Sequence, residues 1–200
     1  PALYDVVNSA EVIIPDGIGV IKAARILRLP ISERVPGIEL GERMLSLADS
    51  STPVFFMGGK PGIAEAAAEK MCEKYPSLVI AGTHDGYFKK SGEENDAVID
   101  EINRSGAKIL FVCLGAPAQE KWIYENRASL PGVRLFMGLG GSLDIYSGTS
   151  ERAPAFFCKT GLEWFYRLIR EPWRIGRMMN LPKFYFGTRG TSFAAENKQK

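Results

Sequence analysis

Along the chain, short apolar runs alternate with longer stretches in which apolar residues recur every three or four positions. "EVII" (11–14), "PVFFMGG" (53–59), "LVIAG" (78–82), "AKILFVCLG" (107–115) and "VRLFMGLGG" (133–141) read as strands. Between them, 18–29, 37–48, 62–75, 93–104 and 117–128 carry a helical period, and 142–147 reads as a short helical turn. Pro30 stops the first helix, and Pro36 and Pro61 open the next two. Strands that are apolar on both faces and separated by helices predict an α/β fold. The expected architecture is an open, mostly parallel Rossmann-like sheet with helices on both faces and a C-terminal helical appendage.

Five segments at strand ends are rich in glycine: "PDGIG", "MGGKPG", "GTHDG", "LGAPAQE" and "GLGG". In an open parallel sheet such loops gather at the C-terminal edge, where ligands bind at a topological switch point. Glycine there lets backbone amides approach phosphates, and helix N-termini favour negative charge. Each loop alone could be an ordinary turn; five on one edge point to a ligand the size of a nucleotide. Neither GxGxxG after a strand nor GxxxxGK[ST] occurs, which argues against dinucleotide dehydrogenases and P-loop NTPases. No DxD acid pair is present to hold a divalent metal, so no metal or cofactor is expected. A nucleotide diphosphate would have to be met by arginine, lysine and backbone amides.

Composition narrows the chemistry further. His84 is the only histidine, which leaves almost nothing for a histidine zinc site or a Ser-His-Asp triad. Cys72, Cys113 and Cys158 are widely spaced without a CxxC and suit thiols in a reducing cytosol. No apolar stretch approaches the roughly 20 residues of a spanning helix. The net charge of +2 conceals an asymmetry: residues 1–158 hold 16 basic and 20 acidic side chains, and residues 159–190 hold seven basic and two acidic. In that basic stretch Trp164, Phe165, Leu168 and Ile169 share one side of a helical wheel, and Pro172 is placed to start a second short helix carrying Arg174 and Arg177. Aromatic residues with arginines suit an element lying on anionic lipid; packing on the domain core is the equal alternative. The acidic remainder offers no extended positive surface for nucleic acid. The expected division is a catalytic domain over 1–158, a basic amphipathic appendage over 159–184 and a mobile tail over 185–200.

Six segments in order, "NSAEVIIPDGIGV" (8–20), "ERVPG" (33–37), "FFMGGKPG" (55–62), "LGAPAQEKWI" (114–123), "GLGGSLDIYSG" (138–148) and "RAPAFFCKTGLEWFYRLIREPWR" (152–174), resemble the WecG/TagA/CpsF family of bacterial glycosyltransferases. The resemblance covers residues 1 to about 185 and is strongest to the TagA branch. It implies an inverting, metal-independent transfer of N-acetylmannosamine from a UDP-sugar donor to the 4-hydroxyl of N-acetylglucosamine on undecaprenyl diphosphate, a step of wall teichoic acid synthesis. Relatives that use UDP-N-acetylmannosaminuronate or UDP-hexoses keep the donor sugar open, and a non-catalytic nucleotide- or lipid-binding module is the rival from another class. The implied location is cytoplasmic, at the inner face of the plasma membrane, in contact with its anionic surface; a homo-oligomer is left open. The family also carries a segment ahead of Pro1, with an Asn-Pro-acid stretch and further site residues, so the expectation is of a chain cut at its N-terminus.

The resemblance also assigns residues. Asp16 matches the proposed catalytic base, against a reading as N-cap of the helix from Ile18. Arg167, Arg174 and Arg177 match arginines that reach the diphosphate when the appendage closes over the site. Arg34, Gln119 and Asp144 match positions around the donor, with Gly138, Gly140 and Gly141 shaping the last loop. Gln119 reads equally well as an exposed first-turn glutamine. His84 and Asp85 are expected to serve a turn.

Overall fold

The computed structural model describes residues 2–31, 33–160, 162–170, 184, 187 and 188. Their elements are α1 (Leu3–Asn8), α2 (Ile18–Ile26), α3 (Gly37–Leu45), β1 (Val54–Gly58), α4 (Ile63–Lys74), β2 (Ile80–His84), α5 (Glu93–Ser105), β3 (Ile109–Cys113), α6 (Ala118–Asn126), β4 (Leu135–Gly138), α7 (Ser142–Tyr146), α8 (Ala155–Thr160) and α9 (Glu163–Arg170), with a 3₁₀ turn at Arg127–Ser129. The chain forms two compact units. One comprises the described residues of Pro1–Ile13 and Gly37–Glu151, the other those of Ile14–Pro36 and Arg152–Lys200.

The first unit holds the sheet. Its four strands are all parallel, in the order β2-β1-β3-β4. Because side chains alternate along a strand, β1 and β3 feed two cores. Val54, Phe56, Phe111 and Cys113 pack with Leu45, Ala64, Ala67, Met71, Leu143 and Tyr146 of α3, α4 and α7 on one face. Phe55, Met57, Leu110 and Val112 pack with Val98, Ile99, Ile102 and Trp122 of α5 and α6 on the other. This is the doubly covered parallel sheet that the apolar runs predict.

The chain runs outward from β1 to β2 and then crosses to β3 on the other flank of β1. The switch point therefore lies between the C-terminal ends of β1 and β3. There Gly58 (φ 132°) lies so close to the neighbouring strand that a Cβ would sit 2.3 Å from the Cys113 carbonyl oxygen. The two loops are tied further: the Gly86 amide, after β2, donates to the Gly59 carbonyl at 2.8 Å.

One expectation needs correction. "EVII" forms no strand: residues 12–16 have no regular structure, and Val12 and Ile13 are 76% and 58% exposed. An apolar run needs a sheet edge and a covered face to become a strand, and two consecutive exposed residues have neither. The first helix, α1, carried no strong period in sequence; it lies against α6, and Arg127 Nη1 donates to the Ser9 carbonyl at its end. The predicted second helix from Pro172 and the tail lie largely outside the described residues.

A buried polar chain locks α5 to α6. Trp122 Nε1 donates to Asn95 Oδ1 at 2.7 Å, Asn95 Nδ2 to Asn126 Oδ1 at 2.9 Å, and Asn126 Nδ2 to the Trp122 carbonyl at 2.8 Å. All three residues are buried, so each group depends on the others for its partners. Asn95→Ala strands the indole N–H, and urea unfolding should show a loss of about 1–3 kcal/mol; an unchanged midpoint would mean that water replaces the amide.

Candidate functional site

In the second unit, the segment before α2 turns sharply. The Asp16 amide donates to the Ile14 carbonyl at 3.1 Å, and the Val35 amide donates to the Pro15 carbonyl at 3.1 Å, pinning residues 34–35 beside this turn. Asp16 is not the N-cap of α2: that position is Gly17, which makes no side-chain cap hydrogen bond. Instead Arg34 Nη2 donates to Asp16 Oδ1 at 3.1 Å, and Arg34 Nε donates to the Asp16 carbonyl oxygen. Arg34 Nη2 also donates to Glu163 Oε2 at 3.0 Å, at the first turn of α9. The Asp16 side chain keeps 51% exposure, against 22% for Arg34 and 12% for Glu163. Burial works against the Arg34 charge, but hydrogen bonds and ion pairing with Glu163 and Asp16 outweigh it and raise its pKa above the ordinary arginine value.

The structure therefore brings Asp16 and Arg34 together. Glu163 joins them unforeseen. The signal was available: Glu163 is one of only two acids among seven basic residues in 159–190. Arg167 lies within α9, and its side chain, like Arg174 and Arg177, is outside the described residues. On α9, Trp164, Phe165 and Ile169 are exposed, and the Arg170 guanidinium lies 5.9 Å from the Tyr166 ring centre. Among the described residues no helix is long and apolar enough to cross a membrane.

In the first unit, Gln119 sits at the start of α6, just past β3. It is 5% exposed, not the surface glutamine that a first-turn position suggests. Its Oε1 accepts the Gly140 amide at 2.9 Å and its Nε2 donates to Glu120 Oε1 at 2.9 Å. Gly138 makes room for it, since a Cβ there would lie 2.6 Å from Gln119 Nε2. Gly140 adopts a left-handed conformation (φ 54°), which turns its amide toward the glutamine. Gly141 precedes α7, and a Cβ on it would lie 3.5 Å from Asp144 Oδ2. Gln119, Asp144 and the three glycines thus form one cluster at the C-terminal edge of β3 and β4. Beside them Glu120 Oε2 is buried without a hydrogen-bond partner among the described residues, a feature that no sequence pattern announces.

Burial, with the Asp144 charge adding to it, pushes the Cys113 thiol up to about 12, so it is no nucleophile at neutral pH. His84 ends β2 with Nδ1 at 2.7 Å from the Asp85 carbonyl oxygen and its ring edge-on to Phe88. Asp85 Oδ1 accepts the Tyr87 amide at 2.6 Å, closing a turn. Lys90 Nζ donates to the carbonyls of Gly86 and Phe88, and burial lowers its pKa. Among the described residues no group of three or more His, Cys, Asp or Glu could hold a metal ion.

The family model for the glycosyl transferase WecG/TagA/CpsF family matches residues 1–197. Three relatives carry the name N-acetylglucosaminyldiphosphoundecaprenol N-acetyl-beta-D-mannosaminyltransferase. The Bacillus subtilis (strain 168) protein is 37% identical over 90% of this chain and 69% of its own length. The Bacillus spizizenii protein is 38% identical over 92% and 70%, and a Staphylococcus aureus (strain MRSA252) protein is 35% identical over 92% and 71%.

The packing of Gly138 on Gln119 gives a direct test. In Gly138→Ala the added methyl displaces a flexible side chain, not backbone, so the fold holds at a cost of about 1 kcal/mol for the lost hydrogen bond. The Gly140 amide should lose its protection from hydrogen exchange while the amides of β3 keep theirs. Full protection at Gly140 would mean that Gln119 is not its partner.

Proposed function

The chain belongs to the WecG/TagA/CpsF family of glycosyl transferases, and we propose that it transfers N-acetylmannosamine from a UDP-sugar to the 4-hydroxyl of N-acetylglucosamine carried on undecaprenyl diphosphate. The observation that carries this reading is the Asp16 carboxylate. It lies one residue before the N-cap of α2, is half-exposed, and is oriented by the guanidinium of Arg34. An inverting transfer needs one such group. As the acceptor oxygen attacks the anomeric carbon, Asp16 takes its proton, the bond from that carbon to the donor diphosphate breaks, and UDP leaves with the electron pair.

The leaving diphosphate gains charge, which arginine is suited to meet because its planar fork pairs bidentately with phosphate oxygens. Arg167, Arg174 and Arg177 of the basic segment take that part, and Arg34 adds its charge and its Nη1 donors. Gln119 and Asp144 position the donor at the C-terminal sheet edge, where Gly138, Gly140 and Gly141 shape the loop around them. The exposed aromatic residues of α9 beside basic ones suit contact with an anionic membrane surface on the cytoplasmic side, where the lipid-linked acceptor lies.

Turnover of UDP-N-acetylmannosamine with a short-chain lipid-linked acceptor tests the reading. Asp16→Asn should leave melting and UDP binding nearly unchanged while the rate falls about 10²–10⁴-fold; near-normal turnover removes Asp16 from the mechanism. Activity should also persist in excess EDTA, and a strict requirement for added Mg²⁺ or Mn²⁺ would overturn the assignment of diphosphate charge to arginine.

A further inference from the structure

Arg34 carries five N–H donors arranged along two edges of a flat fork. Three hydrogen bonds engage Nε and both hydrogens of Nη2: Nε to the Asp16 carbonyl, and Nη2 to both Asp16 Oδ1 and Glu163 Oε2. Among the described residues nothing accepts from Nη1, and the side chain as a whole keeps 22% exposure. Two carboxylates thus hold the guanidinium at Nη2 and leave Nη1 for an incoming oxyanion. Glu163 is the more buried of the two, at 12% exposure, and it stands at the first turn of α9, where a negative charge also suits the helix dipole.

We propose that Glu163 is a positioning residue for the donor: it fixes the Arg34 guanidinium so that Nη1 meets a phosphate oxygen of UDP. Without Glu163 only the Asp16 turn restrains Arg34, and its long side chain regains rotamers that point the fork elsewhere. Glu163 touches no substrate itself. Its effect runs through Arg34 and also binds the entry of α9 to the turn that presents Asp16, so that any movement of α9 is felt at the proposed base. The inference rests on the proposed role of Arg34 at the donor diphosphate, and it adds the residue that sets the arginine's direction.

The experiment is a double-mutant cycle on UDP binding, measured by calorimetry on the whole chain, with Glu163→Ala, Arg34→Ala and both together. Glu163→Ala should weaken UDP binding about tenfold, as expected for losing a charged hydrogen-bond partner. In the Arg34→Ala background the same change should cost less than about twofold, because the residue it positions is gone. Glu163→Gln, which keeps the acceptor oxygen and the shape, should fall between wild type and Glu163→Ala, and it serves if the alanine variant folds poorly. A tenfold loss that persists without Arg34 overturns the proposal, as does unchanged UDP affinity in Glu163→Ala or a fall in melting temperature alone. Coupling on UDP without any turnover of UDP-N-acetylmannosamine would leave Glu163 in place and reject the proposed sugar transfer. Turnover with purely additive variants would do the reverse.

Discussion

The sheet unit depends on one constraint: β1 is buried on both faces. Val54, Phe55, Phe56 and Met57 have no exposed surface, and they belong alternately to the two cores. A strand in that position must have helices over both sides, and parallel neighbours require those helices as crossovers. Having run to β2, the chain must return across β1 to reach β3, and the reversal opens the switch point between them. Glycine follows from the same geometry. Gly58 brings β1 against the Cys113 carbonyl with no room for a methyl group, and the loops that leave β1 and β3 diverge from that point. The cluster around Gln119 then rests on β3 and β4, the next pair in the sheet.

How much of this was legible depended on the range of the interactions. Continuous apolar runs disclosed β1 to β4, because a strand covered on both faces has to be apolar throughout. The same rule misread "EVII", whose sequence matches a strand but whose residues find no ladder; pairing is a property of the partner, and the partner is not written in the run. Asp16 and Arg34 were identified by resemblance, and no spacing rule would have joined two residues 18 positions apart across a helix. The burial of Gln119 was hidden for a related reason. A first-turn glutamine is ordinarily solvated, and only the absence of a side chain at Gly138, far along the chain, lets it fold inward. Glu163 was visible as an anomaly of charge, but its partner was not.

The second unit shows why an arginine, and not a lysine, suits the centre of such a network. One lysine nitrogen is a point charge that two carboxylates would surround and neutralise. The guanidinium spreads its charge over a plane, so Asp16 and Glu163 can hold Nη2 while Nη1 points elsewhere. Removing the charge from Arg34 is opposed by the same two acids, which outweigh the cost of its partial burial. The acids therefore keep a cation in place and give it a direction. For a diphosphate met without a metal ion, direction matters as much as charge. A hydrated Mg²⁺ would bring its own fixed geometry, whereas a flexible side chain has to be given one by its neighbours.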